Sequence, residues 1–263
     1  MTEYTHDEHY VPKMYLKCFA ENDLCYVLNN YGGIKQRHIT SICYEKDLYE
    51  FTSEKGDIIH QNLYEKELFQ KLETEYTGYF EELLKVLDNK RMLDSFMDEE
   101  NTKLLIIWMA SMLFRNKVVI DMTKDVGGEI GINWTDAEGK NNAILHNTSM
   151  IEHTTEKKFK THKIVFFENN SDISFVTSCF PVLIMPFENE LHRWAMPIND
   201  KYYVLLIDRR NDFMKANSII PMKLPIVDSY NQLMVCNEYS KYAISKDKKS
   251  FERYKKHVRG KVK

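Results

Sequence analysis

Residues 98–122 constrain this chain most. The stretch has the length of a long helix, yet from Leu104 to Phe114 it is apolar on almost every side, broken only by Ser111. A helix without a polar face has to be surrounded by the rest of the protein, so it belongs at the centre of the α-rich part. Asp98, Glu99 and Glu100 suit its start, where acids meet the positive end of the dipole. The apolar run is too short to cross a bilayer. Residues 62–88 predict a partner helix, with Leu72, Tyr76, Tyr79, Phe80, Leu83 and Leu87 in one stripe at 100° per residue. Asn62 followed by Glu65 resembles a capping box at its start.

Strand patterns flank these helices. Leu24 to Leu28 reads as a strand, and Asn29-Asn30-Tyr31-Gly32-Gly33 supplies turn residues for a hairpin. The β pattern continues through Ile39–Tyr44 and Leu48–Phe51. Residues 12–20 read as a short helix opened by Pro12. Val126-Gly127-Gly128-Glu129 reads as a break, and residues 130–162 as a polar loop or insert. Further strands are expected at 164–167, 173–177, 182–185 and 202–207, before a last helix near 226–245. Strands, helices, strands and a closing helix give an α+β fold: an N-terminal β-hairpin region, central antiparallel long helices and C-terminal antiparallel strands. Residues 1–245 are expected to form one α+β domain, followed by a basic tail at 246–263.

The tail carries nine Lys or Arg residues against Asp247 and Glu252, while the whole chain has a net charge of −3. With Phe251 and Tyr254 interleaved, it has the composition of a segment that contacts nucleic acid through phosphates and stacking, and equally that of a solvated terminus. A hydrophobic fraction of 43% and aromatics at 13% exclude a disordered chain. The five cysteines form no Cys-x-x-Cys pair, and the N-terminus has no signal-peptide pattern, so reduced thiols in the cytoplasm and no membrane association are expected.

Chemistry-bearing residues gather at a few places. His6 and His9 bracket Asp7 and Glu8. In a helical turn both imidazoles would share a face and could hold a divalent metal, or His9 could act as a base; the plain alternative is a capped turn with a solvated His6. Arg115 ends the apolar helix among Leu104, Trp108 and Met112, where a guanidinium needs a carboxylate, with Glu65 and Glu75 as candidates. That pair either fixes helix register or forms a pocket floor that grips a phosphate. Thr177 and Ser178 lie where one strand ends, as backbone caps or substrate-binding hydroxyls, and Cys179 reads as a buried thiol. There is no Walker loop, Gly-x-Gly-x-x-Gly, Gly-x-Ser-x-Gly or His-Glu-x-x-His, which disfavours the common nucleotide-binding folds, serine hydrolases and zinc proteases.

At His9-x-Val11-Pro12-x-x-Tyr15-Leu16-x-x-Phe19 the chain resembles the domain-of-unknown-function family 4238, whose members open with a similar signature. The resemblance continues through a Glu-rich helix like that holding Glu65, Glu67 and Glu75, an arginine ending an apolar helix like Arg115, and a late Asn-containing helix like that of Asn231. It also covers a Thr-Ser-Asp-x-Pro-Val strand end, where this chain has Cys179 in place of the acid. The resemblance implies an architecture and candidate positions, without a reaction; if the family's acid serves as a base or metal ligand, this chain lacks it.

The leading expectation is a nuclease-like phosphodiester hydrolase, with His9 as base or metal ligand, Arg115 as phosphate clamp, Glu75 as orienting carboxylate and Thr177-Ser178 at the pocket wall. The alternative is a non-catalytic binding or regulatory module in which the same residues form a structural network.

Overall fold

The computed structural model describes residues 6–60, 63–129, 131–186 and 191–258. The chain opens with β1 (Asp7–His9) and α1 (Lys13–Lys17), whose Tyr15 and Leu16 are buried. The predicted hairpin is present as β2 (Leu24–Asn29) and β3 (Ile34–His38). The Asn29 side chain accepts hydrogen bonds from the N–H groups of Tyr31 and Gly33 and so holds the turn. The strand expected at Ile39–Tyr44 is instead a 3-10 turn, Ile39–Ser41, because the His38 ring accepts the Thr40 N–H and starts a helical turn. Three short strands follow: β4 (Tyr44–Lys46), β5 (Phe51–Thr52) and β6 (Ile58–His60).

The second long helix is α2 (Gln70–Asp88), entered through a π turn at Glu65–Phe69; the predicted cap at Asn62 lies outside the described residues. After α3 (Leu93–Phe96) comes α4 (Glu99–Phe114), capped by Asp98, which accepts the Asn101 N–H. It buries Leu105, Ile106, Trp108, Met109, Ala110, Met112 and Leu113, as a helix with no polar face must. Trp108 stacks on Tyr76 of α2 at 3.8 Å and 4°. The predicted helix 98–122 does not continue unbroken. At Asn116 the side chain accepts the Val118 N–H and donates to the Cys179 carbonyl, which ends one helix and begins α5 (Lys117–Glu129). Gly127 and Gly128 do not stop α5.

The expected loop at 130–162 is largely the longest helix described, α6 (Asp136–Thr161), started by a full capping box between Thr135 and Glu138. Its apolar period is hidden because its buried face includes Asn147, Thr154, Thr155 and Lys158 beside Ala143, Ile144 and Ile151. Those polar groups have partners: Asn147 donates to the Phe114 carbonyl and Thr155 to that of Ile151.

The second half alternates β7 (His162–Asn169), β8 (Thr177–Ser178), β9 (Leu183–Met185), β10 (Arg193–Pro197), β11 (Tyr202–Asp208), β12 (Ile219–Met222), α7 (Leu224–Val235), β13 (Tyr242–Ser245), α8 (Lys249–Glu252) and α9 (Lys255–Val258). The expected strand at 173–177 shrinks to β8, the helix expected near 226–245 ends at Val235, and Trp194 is buried in β10. A five-stranded sheet has the order β12-β7-β11-β10-β9, and a four-stranded one β3-β2-β13-β8. All pairings are antiparallel except β12 with β7, so the fold is α+β.

Strand β11 shows why there are two cores. Tyr202, Val204 and Leu206 face the helical core, whereas Tyr203, Leu205 and Ile207 face a second core that includes Val227 and Met234. A strand buried on both faces has to be apolar without alternation, which is how 202–207 reads. The expected free tail also joins this second core: Phe251, Tyr254 and Val258 are buried in it. Among the described residues no helix is long and apolar enough to cross a membrane.

Candidate functional site

The opening motif is extended rather than helical. β1 pairs antiparallel with β4, so Glu8 and His9 turn to opposite faces. His6 does not share a face with His9; its Nδ1 lies 3.0 Å from Asp47 Oδ1 near the surface. His9 is buried against the Tyr44 ring, and among the described residues its Nε2 has no partner within hydrogen-bond geometry. Burial, then Lys13, pushes the His9 pKa down to about 4. A base that weak is poorly matched to neutral pH. Among the described residues no group of three His, Cys, Asp or Glu is placed to hold a metal ion.

Arg115 caps the C-terminal end of α4 and sits at the centre of a buried knot. Its Nη1 donates to Glu73 Oε1 at 2.7 Å, Nη2 to the His9 carbonyl at 2.6 Å and Nε to the Tyr49 hydroxyl at 3.3 Å. Glu65 Oε2 is 3.9 Å away, and the Phe69 ring lies under the guanidinium at 4.3 Å. Tyr49 returns a bond from its hydroxyl to the Arg115 carbonyl, and its N–H donates to Glu8 Oε2 at 2.7 Å. Burial works against the Arg115 charge, but Tyr49, Glu73 and Glu65 more than offset it, so its pKa rises. Glu8 is different: burial raises its pKa to about 8, only partly opposed by the Tyr49 N–H, and the neighbouring Glu65 and Glu50 raise it further. Burial also raises that of Glu65, against the pull of Arg115.

This knot ties β1, the 47–50 turn, the π turn, α2 and α4 together. The cavity beside it measures about 10 Å³, room for one water at most. The carboxylate partner is Glu73; Glu75, two residues on, is exposed and plays no part. Thr177 and Ser178 are fully buried: Thr177 Oγ1 is 2.8 Å from the Tyr15 hydroxyl, and Ser178 donates to the Phe180 carbonyl. Cys179 is buried, its sulfur accepting the Lys241 N–H. Of the residues predicted to converge, His9 and Arg115 meet in the knot, Thr177 and Ser178 pack in a separate buried contact with Tyr15 and Phe180, and Glu75 lies outside both.

Several charges of the described part of the tail are also engaged. Lys246 pairs with Asp200, Lys249 with Asp172 at 3.5 Å and Arg253 with Asp228 at 3.2 Å. Tyr254, buried, donates to Asp228, so it has no free face on which a base could stack.

Open space lies elsewhere. A groove of about 990 Å³ runs between β9 and α7, floored by Phe180, Val182 and Leu183 and walled by Ile184, Leu233 and Tyr239. On α7, Ser229, Gln232 and Leu233 line it, followed by Cys236 at the helix end, at spacings of one helix face, while Val227, Asn231 and Met234 pack inward. Ile184, Leu233 and Tyr239 are each more than 40% exposed. β9 ends its sheet, and among the described residues no strand pairs its outer edge. The sequence signal was slight: an apolar Val182–Met185 run and a helix expected near 226–245.

A family model described as "Protein of unknown function (DUF4238)" matches residues 8–249. No curated protein and no solved structure matches the chain.

Proposed function

The chain belongs to the DUF4238 family, and from that premise we propose that it is a binding module for an extended apolar peptide, seated in the groove between β9 and α7. The observation that carries this reading is an exposed apolar groove bordered by a sheet edge with unpaired backbone groups among the described residues. An edge strand offers alternating N–H and C=O groups that an added strand satisfies, and alternate side chains of that strand then drop into the groove. The volume falls in the range of ordinary ligand sites. Asn237 and Glu238 at the rim give the polar border that fixes a ligand's direction.

The hydrolase reading has less behind it. Each nitrogen of the Arg115 guanidinium donates to a protein partner, His9 is a weak base, and the cavity there admits no phosphodiester. The same bonds support the network as architecture.

Selection of displayed random peptides on the purified protein, followed by titration of an enriched peptide, tests the proposal. We expect sequences with apolar residues at every second position, slowed amide exchange across Leu183–Met185, and affinity weakened about tenfold or more by Leu233→Asp. Absence of enrichment, or binding indifferent to Leu233→Asp and Ile184→Asp, overturns it.

A further inference from the structure

A second cavity, of about 390 Å³, lies between the last three turns of α6 and Leu191–His192. Met150, Thr154, Lys157, Lys158 and Thr161 line it at spacings that put them on one helix face. Lys158 is largely buried there. Its Nζ lies 2.9 Å from His162 Nε2, 3.0 Å from the His192 carbonyl and 4.9 Å from the Trp194 ring centre. His162 Nε2 is also 3.0 Å from the His192 carbonyl; the other ring nitrogen, Nδ1, is 2.7 Å from Thr161 Oγ1, whose own hydrogen goes to the Lys157 carbonyl, so Nδ1 carries the ring proton and Nε2 accepts. Among the described residues no carboxylate forms an ion pair with Lys158. The acid that acts on His162, Asp208, is held by Arg210 through a bond of 2.5 Å.

We propose that Lys158 is a covalent capture site for small carbonyl compounds that carry an anionic group. Lys158 gives a proton to solvent, and its nitrogen lone pair attacks the carbonyl carbon. The C=O π pair moves to oxygen, which takes up a proton; loss of water from this carbinolamine then leaves a C=N bond to the lysine. No oxidant or reductant is needed. Two acceptors, His162 Nε2 and the His192 carbonyl, retain two N–H bonds of the neutral amine, so the third position carries the lone pair. Lys157 stands exposed on the same helix wall and supplies positive charge for a carboxylate or phosphate on the ligand.

A lysine in the last turn of a helix is also favoured by the dipole alone. What that explanation leaves out is the cavity, and a neutral histidine where a carboxylate would hold the charge. Burial first, and then Lys157, push the Lys158 pKa down to about 8. Burial, and then Lys158, push His162 down to about 4, so the ring stays neutral and accepts rather than repels. Arg209, which also lowers the His162 value, adds no negative charge to the site.

The test uses glyoxylate with cyanoborohydride at pH 7.5, which reduces any imine to a stable secondary amine, followed by peptide mapping. Propanal serves as the uncharged arm. We expect Lys158 to be labelled about tenfold faster than any other lysine, with glyoxylate preferred over propanal and a pH midpoint near 8. Labelling spread evenly over the exposed lysines overturns the proposal without recourse to any variant. So does total labelling that is unchanged in a folded Lys158→Met protein. A preference for propanal overturns the anionic half of the assignment.

Discussion

Arg115 and Lys158 are both buried cations near a helix end, and both bond to a backbone carbonyl of a distant segment. Around Arg115, Glu73 and Glu65 answer the charge, each guanidinium nitrogen donates a hydrogen bond, and the space left is about 10 Å³. Around Lys158 there is a histidine nitrogen, a carbonyl and about 390 Å³ of open volume. The first environment stabilises a charge; the second undermines one and leaves room for a reaction. Burial of a charged group therefore does not mark a site by itself. Missing neutralisation and adjacent space do.

The largest expected effect that sharpens this contrast is Arg115→Ala. Removing the guanidinium strands Glu73, Glu65 and the His9 carbonyl in the core and should cost about 3–5 kcal/mol, read by urea or thermal unfolding. A loss below about 1 kcal/mol would break the comparison, because the knot would then hold nothing together.

Next is the pH response of Glu8. Folding raises its pKa from 4.5 to about 8, so its contribution is complete below pH 4.5 and is lost as pH climbs through 8. His9 and His162, moved from 6.5 to about 4, contribute above pH 6.5 and lose that contribution as pH falls through 4. Between pH 6.5 and 8 stability should fall by about 1 kcal/mol per unit. Glu8→Gln, which mimics the protonated acid, should flatten that slope in thermal melts; an unchanged slope would assign it to another group.

The smallest effect is Lys158→Met. It should shift stability by less than about 1 kcal/mol at pH 7, since the lysine's burial is not offset by an ion pair. A loss as large as that of Arg115→Ala would make the two cations alike after all.

Much of the architecture was legible because it rests on periodicity. The α4 stretch around Trp108, the hairpin turn at Asn29 and the unalternating β11 each announce their burial. Helix α6 was not legible, because its inward face uses Asn147, Thr155 and Lys158, whose burial depends on partners far away in the chain. Arg115 was expected to need a carboxylate, with Glu65 and Glu75 as candidates; the hydrogen-bonded partner is Glu73, which no local pattern distinguishes from the other glutamates of α2. The opening histidines misled because His-x-x-His implies a shared face only in a helix, and pairing with Tyr44–Lys46 made the segment a strand. Neither cavity has a local signature, since each is assembled from segments that meet only in the folded chain.

Strand β13 lies between β2 and β8, so residues 242–245 complete a sheet whose hairpin is made of residues 24–38. On a ribosome adding about 5–20 residues per second, that hairpin emerges roughly 10–40 s before its neighbouring strand has been synthesised. Throughout that interval the inner edge of β2 has no native partner, and it offers any other nascent chain a template for pairing. The order of synthesis thus makes the first strands made among the last to be covered, and the growing chain depends on whatever shields that edge in the meantime.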